Sequence, residues 1–157
     1  MNLAFRTLRV ACCIVACGVA VVPAAQPGES IYKTYCALCH QQGAEGLAGQ
    51  FPRLKGRLQV MLAQPSSRRY AIQVVLNGMA GGIEVDHSHI VGVMPPLGTF
   101  SDRDVAAVLS YVAGLEGKEH LKPVTEAEVS QVRAQPPLSA TDMHALREKL
   151  VQAGGLP

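Results

Sequence analysis

Apolar residues along this chain fall into short runs whose spacing changes from segment to segment, and each change marks an element. Ile31, Tyr32 and Tyr35 stand at helical spacing between Gly28 and Ala37, which predicts a short amphipathic helix. Residues 41–57 then carry Gly43, Gly46, Gly49, Pro52 and Gly56, a density that no helix or strand interior tolerates, so an ordered wrapping loop or a loose one is expected. Pro65-Ser66-Ser67 is a turn and N-cap signal, after which Tyr70, Val74 and Leu76 continue as a second helix to Met79, ended by Gly81-Gly82.

Ile83 and Val85, then Ile90, Val91 and Val93, flank Asp86-His87-Ser88-His89, which predicts a small irregular hairpin with its turn at the histidines. It delivers the chain to Met94-Pro95-Pro96. Ser101 and Asp104 resemble a capping box ahead of an apolar stripe at Val105, Val108, Leu109, Val112 and Leu115. Thr125 with Glu128 repeats the capping pattern before Val129 and Val132, Pro136-Pro137 breaks it, and a last helix from about Asp142 carries Met143, Leu146 and Leu150. The organisation expected is a leader over 1–25, one domain over 26–117 and a helical extension over 118–157, mostly α throughout.

At 157 residues the chain is long enough for one domain with a real core. Its hydrophobic share of 48% fits a globular fold, yet only 4% is aromatic and there is no Trp, so something other than aromatic side chains is expected to fill the centre. Arg6 and Arg9 precede an uncharged run from Val10 to Val22 and then Pro23-Ala24-Ala25, the pattern of a cleaved export signal. Two other readings stay open: Ile14-Val15-Ala16-Cys17 resembles a lipobox preceding a lipidated cysteine, and the run could remain as an uncleaved anchor.

With the leader go Cys12, Cys13 and Cys17, leaving Cys36 and Cys39. The formal charge of +2 goes with it too, because the leader holds two arginines and no acid, so bulk charge gives no reason to expect a nucleic-acid partner. Charge distribution is more informative. Arg53, Lys55, Arg57, Arg68 and Arg69 lie in a stretch without acids, whereas Glu116 to Glu128 is mostly acidic.

The motif Cys36-Ala37-Leu38-Cys39-His40 places two thiols and an imidazole within five residues. Zinc would need further ligands that only scattered histidines could supply. A thioredoxin-like pair would sit between a strand and a helix, not after a helix and before a glycine-rich loop. Covalent haem attachment uses all three groups: both thiols add to the vinyls as thioethers, and the imidazole ligates iron. Export agrees with this, since such proteins are usually matured outside the cytoplasm.

A second axial ligand would close the iron and, if a thioether, raise its potential. Met94 has the surroundings for it, because Pro95 biases the preceding residue toward extended backbone and Pro96 restrains the next stretch of chain. Met61 and Met79 fall in or near segments that read as helical, where Met more often fills a core, and Met143 lies in the extension. His87 and His89 would give bis-histidine ligation, from a polar turn.

Gly28-x-x-Ile31-Tyr32-x-x-x-Cys36-x-x-Cys39-His40, then Met94-Pro95, then Val105-Ala106-Ala107-Val108-Leu109-Ser110-Tyr111-Val112 resembles, in that order, a class I c-type cytochrome over roughly residues 27 to 115. The resemblance implies an all-α fold of short helices and loops around one covalent haem c. It implies a near-perpendicular crossing of the first and last domain helices at Gly28, Tyr32 and Tyr111, and a His40 ring oriented by the Pro52 carbonyl. The hairpin and everything after Gly117 exceed the minimal family domain, and resemble cytochrome subunits of periplasmic or membrane-associated dehydrogenases.

The expected function is one-electron transfer in the periplasm, between a dehydrogenase and a downstream redox protein, with His40 and Met94 retained on iron. The chain is then a carrier and not itself an enzyme. Leu54, Val75, Leu97 and Phe100 are expected against the haem, and the basic group is expected to steer an acidic partner. Two alternatives stand beside this reading. One is a haem enzyme or gas sensor with an open distal iron; the other is an assembly subunit docking through Met143, Leu146 and Leu150.

Overall fold

The computed structural model describes residues 27–117 and 121–157. The expected leader, with its lipobox alternative, lies outside the described residues. Among those described, no helix is long and apolar enough to cross a membrane.

Helix α1 (Pro27–Ile31) passes without a break into a π-helical turn (Tyr32–Cys36) and a final α-helical turn, α2 (Ala37–His40), so the whole haem-attachment motif rides on one helix. α1 crosses α5 (Asp102–Gly114) at Gly28, where a Cβ would stand 2.2 Å from the Ala107 carbonyl oxygen; only a residue without a side chain lets the backbones meet. Tyr32 and Tyr111 pack beside this contact with ring centroids 5.8 Å apart. The crossing thus forms at the residues the resemblance implies.

The glycine-rich stretch is an ordered loop folded back on the helix end. Gly46 N–H donates to the His40 carbonyl at 3.0 Å, Leu54 and Lys55 both donate to the Ala44 carbonyl at 2.9 Å, and the Tyr32 hydroxyl caps the Gln41 carbonyl at 2.6 Å. A short helix, α3 (Arg57–Ala63), precedes α4 (Pro65–Asn77). The cap of α4 is Gln64 rather than a serine: Pro65 occupies the first turn, where its missing N–H costs nothing, and Ser67 is buried and donates to the Met61 carbonyl at 2.8 Å.

α4 ends two residues earlier than its apolar pattern predicts. Gly78 has φ of +70°, and a Cβ there would meet the Met94 carbonyl oxygen at 2.5 Å, so the helix stops and Met79 opens a strand. The hairpin is also longer and more regular than expected. β1 (Met79–Val85) and β2 (Ser88–Met94) pair in register from Met79 opposite Met94 to Val85 opposite Ser88, and the turn is Asp86-His87, both at positive φ.

The main core joins Tyr32, Leu58, Ile72, Val105, Leu109 and Val112, and extends to Val124, Val129 and Val132 from the C-terminal extension. Helix α6 (Glu126–Arg133) has the full Thr125–Glu128 capping box; α7 (Ala140–Gln152) is capped likewise by Ser139 and Asp142 and lies across β1 and α4. Met143 is 0% exposed, so it serves this packing and is not free to dock elsewhere. The described residues are mostly helical, as expected, with the expected hairpin ahead of the Met94 segment.

Candidate haem-binding site

Cys36 and Cys39 are free thiols on successive turns of the α1–α2 helix, and burial, with a smaller contribution from Cys39, pushes the Cys36 thiol up to about 11. His40 ends the helix, buried; its Nδ1–H donates to the Pro52 carbonyl at 2.9 Å. Burial holds this imidazole below its ordinary range, with the Pro52 bond acting against that shift. Neutral and hydrogen-bonded through Nδ1, the ring keeps the Nε2 lone pair for a metal.

Two overlapping voids, both partly open to solvent, adjoin these groups, and Cys36, His40, Pro52, Leu54, Met79, Ile83, Met94 and Leu97 line both. Long apolar walls with few polar groups suit a large flat macrocycle, and the donor set suits covalent haem: two thiols, one neutral imidazole and a facing thioether. The residues fit the group. Leu54, Val75 and Leu97 are on the walls as expected, but Phe100 is not among the lining residues; it packs edge-on against Tyr35 at 4.9 Å.

Met94 closes β2 at the cavity. Its backbone is pinned between Gly78 and the Leu97 N–H bond to the Val75 carbonyl at 2.8 Å, which holds the Met94-Pro95-Pro96 segment in place. Met79, expected in a helix, is instead the cross-strand partner of Met94 and lines the same voids. Paired positions share a sheet face, so register brings two thioethers to one wall. Their sulfurs differ: Met79 Sδ accepts the Tyr70 hydroxyl at 3.1 Å, while Met94 has no such partner among the described residues. Met61 lines one void only, and His87 and His89 lie on neither, both exposed, with His89 Nδ1 against Glu84 at 2.6 Å.

Of the basic group Arg53, Lys55, Arg57, Arg68 and Arg69, three are paired with acids of the chain. Arg53 and Arg57 converge on Asp86, at 2.8 Å and 3.4 Å, and Arg68 grips Glu128 at 2.8 Å. These cations are spent on internal ties between elements, which linear charge counting cannot reveal. Two residues of this region carry no sequence signal for a site. Tyr70 reads as core at helical spacing and Arg147 as one more charge of an amphipathic helix, yet both line the cavity, and Arg147 is buried there.

Comparison with known proteins agrees with the geometry. The family described as "Cytochrome C oxidase, cbb3-type, subunit III" matches residues 23–112. Cytochrome c-552 of Thermus thermophilus is 39% identical over 127 residues, covering 78% of this chain and 95% of that protein. The cytochrome c subunit of the quinone alcohol dehydrogenase of Gluconacetobacter polyoxogenes is 26% identical over 123 residues, 70% of this chain but 23% of that protein. A family match across the attachment helix, the Met loop and the closing helix, on a cavity built for covalent haem, makes this chain a c-type cytochrome of that family, carrying haem c and transferring electrons through it.

Proposed function

We propose that Cys36 and Cys39 hold the haem as thioethers, that His40 and Met94 are the permanent axial ligands, and that the chain is a one-electron carrier rather than an enzyme. One observation carries this reading: the Nδ1 bond of His40 to Pro52 leaves Nε2 for a void that Met94 also lines. Haem iron, when bound, supplies the ferric–ferrous couple. Pro52 holds the His40 tautomer, the Met94-Pro95-Pro96 segment holds the thioether, and the apolar walls exclude water, so ligation changes little between oxidation states.

The partner face we infer is apolar, not basic. Leu38, between the two cysteines, is 86% exposed, and Val91 and Val93 on the outer face of β2 are 70% and 73% exposed, with Val93 and Tyr35 at the mouth of the second void. Such a rim suits brief docking that excludes water near the cofactor edge. By analogy with the alcohol dehydrogenase subunit, a quinone-linked dehydrogenase is a candidate donor, and the leader pattern supports a periplasmic location, free or membrane-attached.

Met94→Ala tests the ligation. The ferric wild type is expected to show the weak near-infrared sulfur-to-iron band and the ferrous form to resist carbon monoxide, whereas the variant loses the band and binds the gas. Ready carbon monoxide binding by the wild type at neutral pH would instead support an open-iron sensor or enzyme; a band that survives in the variant would move the ligand to Met79.

A further inference from the structure

A guanidinium stays charged at any pH a protein survives, so burying one without a counter-charge is costly. Arg147 on α7 is 6% exposed. Its Nη2 donates to the Glu84 carbonyl at 3.0 Å, its Nε is buried without a partner, and among the described residues no carboxylate pairs with it. It faces the first void together with Arg53, Arg57 and Tyr70, and that lining contains no acid. Asp86, the carboxylate bonded to this arginine group, already serves both Arg53 and Arg57. Tyr70 donates its hydroxyl to Met79 and turns its oxygen toward Arg147, but a neutral phenol is no counter-charge.

The distribution of these groups is directional. Cys39, Tyr35 and Val93 line only the second void, whereas Arg57, Tyr70 and Arg147 line only the first. Haem has the same polarity: vinyl groups, which become the thioethers, at one edge, and two propionate carboxylates at the other. An orphaned buried cation at the end of the cavity away from Cys39 is complementary to a carboxylate that arrives with the cofactor.

We propose that Arg147, with Arg57 beside it, receives a haem propionate, so that α7 closes on the cofactor from outside the family-matched region, which ends at residue 112. The C-terminal extension is then part of the haem site. Its packing matches that role: His144 Nε2 is 2.6 Å from the Gly82 carbonyl and Met143 is fully buried, which fixes α7 against β1 beside the Arg147 contact. A guanidinium near the haem favours the ferrous form, which carries one positive charge fewer, and masks the propionate charge that favours the ferric form.

This inference rests on haem being seated by Cys36, Cys39 and His40, and the pyridine haemochrome spectrum reports that attachment separately. In holoprotein with the spectrum intact, Arg147→Gln is expected to shift the ferric–ferrous equilibrium toward ferric by roughly tenfold, about 59 mV in midpoint potential, with Arg147→Lys keeping most of the wild-type value. Arg69→Gln, at a position outside the cavity lining, should leave it unchanged. A folded Arg147→Gln with the wild-type potential overturns the proposal. Should that variant fail to accumulate, proton NMR of the diamagnetic ferrous wild type decides: cross-peaks from the Arg147 Nε–H to propionate methylene protons support the contact, and a visible Nε–H without them refutes it.

Discussion

Replacing Arg68 by methionine should destabilise the protein severely while leaving its redox chemistry alone. The guanidinium makes five hydrogen bonds: Nε and Nη2 to Glu128 at 2.8 Å and 3.0 Å, and the two terminal nitrogens to the carbonyls of Leu62, Lys122 and Pro123 at 3.1 Å, 3.0 Å and 2.7 Å. It therefore ties α3 and α4 to the extended segment entering α6. Methionine keeps the apolar stem but leaves three carbonyls without a donor and Glu128 without its cation. The Arg68 side chain is largely buried and Glu128 about a third exposed, so solvent screens part of the pair, and a loss of about 3 kcal/mol is expected. For a domain of this size that lowers Tm by roughly 10 °C.

The same tie predicts an acid limb. Arg68 first, then Thr125, holds Glu128 at about 2 against an ordinary 4.5. A depressed carboxylate contributes stability that is fully present above its unfolded value and is lost as pH falls from 4.5 toward about 2. Calorimetry of holoprotein at about pH 7 and about pH 3, on either side of the unfolded value, would show the Arg68→Met penalty shrinking in acid. A Tm within about 3 °C of wild type at neutral pH, or a penalty that does not shrink in acid, would refute the reasoning.

Met143→Ala should cost about 2–5 kcal/mol, because truncating a fully buried thioether on α7 leaves a cavity, and urea unfolding followed by far-UV circular dichroism measures it. A value below about 1 kcal/mol would mean that α7 is not firmly seated. Val91→Glu, at an exposed position outside both void linings, should slow electron transfer to the native partner at least several-fold without moving the midpoint potential, read by stopped-flow. An unchanged rate would remove the apolar rim as the docking face.

Local chemistry was legible in the chain because it depends on residues a few positions apart. Haem attachment needs Cys36, Cys39 and His40 within about one helix turn, the extended backbone at Met94 follows from the Pro after it, and the Thr125–Glu128 cap closes within one turn. The helix crossing at Gly28 and the Pro52 bond to His40 came from resemblance to the family, whose backbone path makes those contacts.

Other features depend on partners far along the chain. Whether Met79 lies in a helix or a strand turned on Gly78 meeting the Met94 carbonyl, a contact between segments that one-dimensional periodicity does not see. Arg68 reads as a free surface cation until Glu128, 60 residues later, folds against it, and Arg147 reads as solvated until the Glu84 carbonyl, 63 residues earlier, draws it inside. Sequence alone determined which groups can bond the haem, since covalent and ligand chemistry follow residue type and short spacing. Only the tertiary structure decided which charges remain to meet a partner or the cofactor, because burial and pairing are properties of segments brought together by packing.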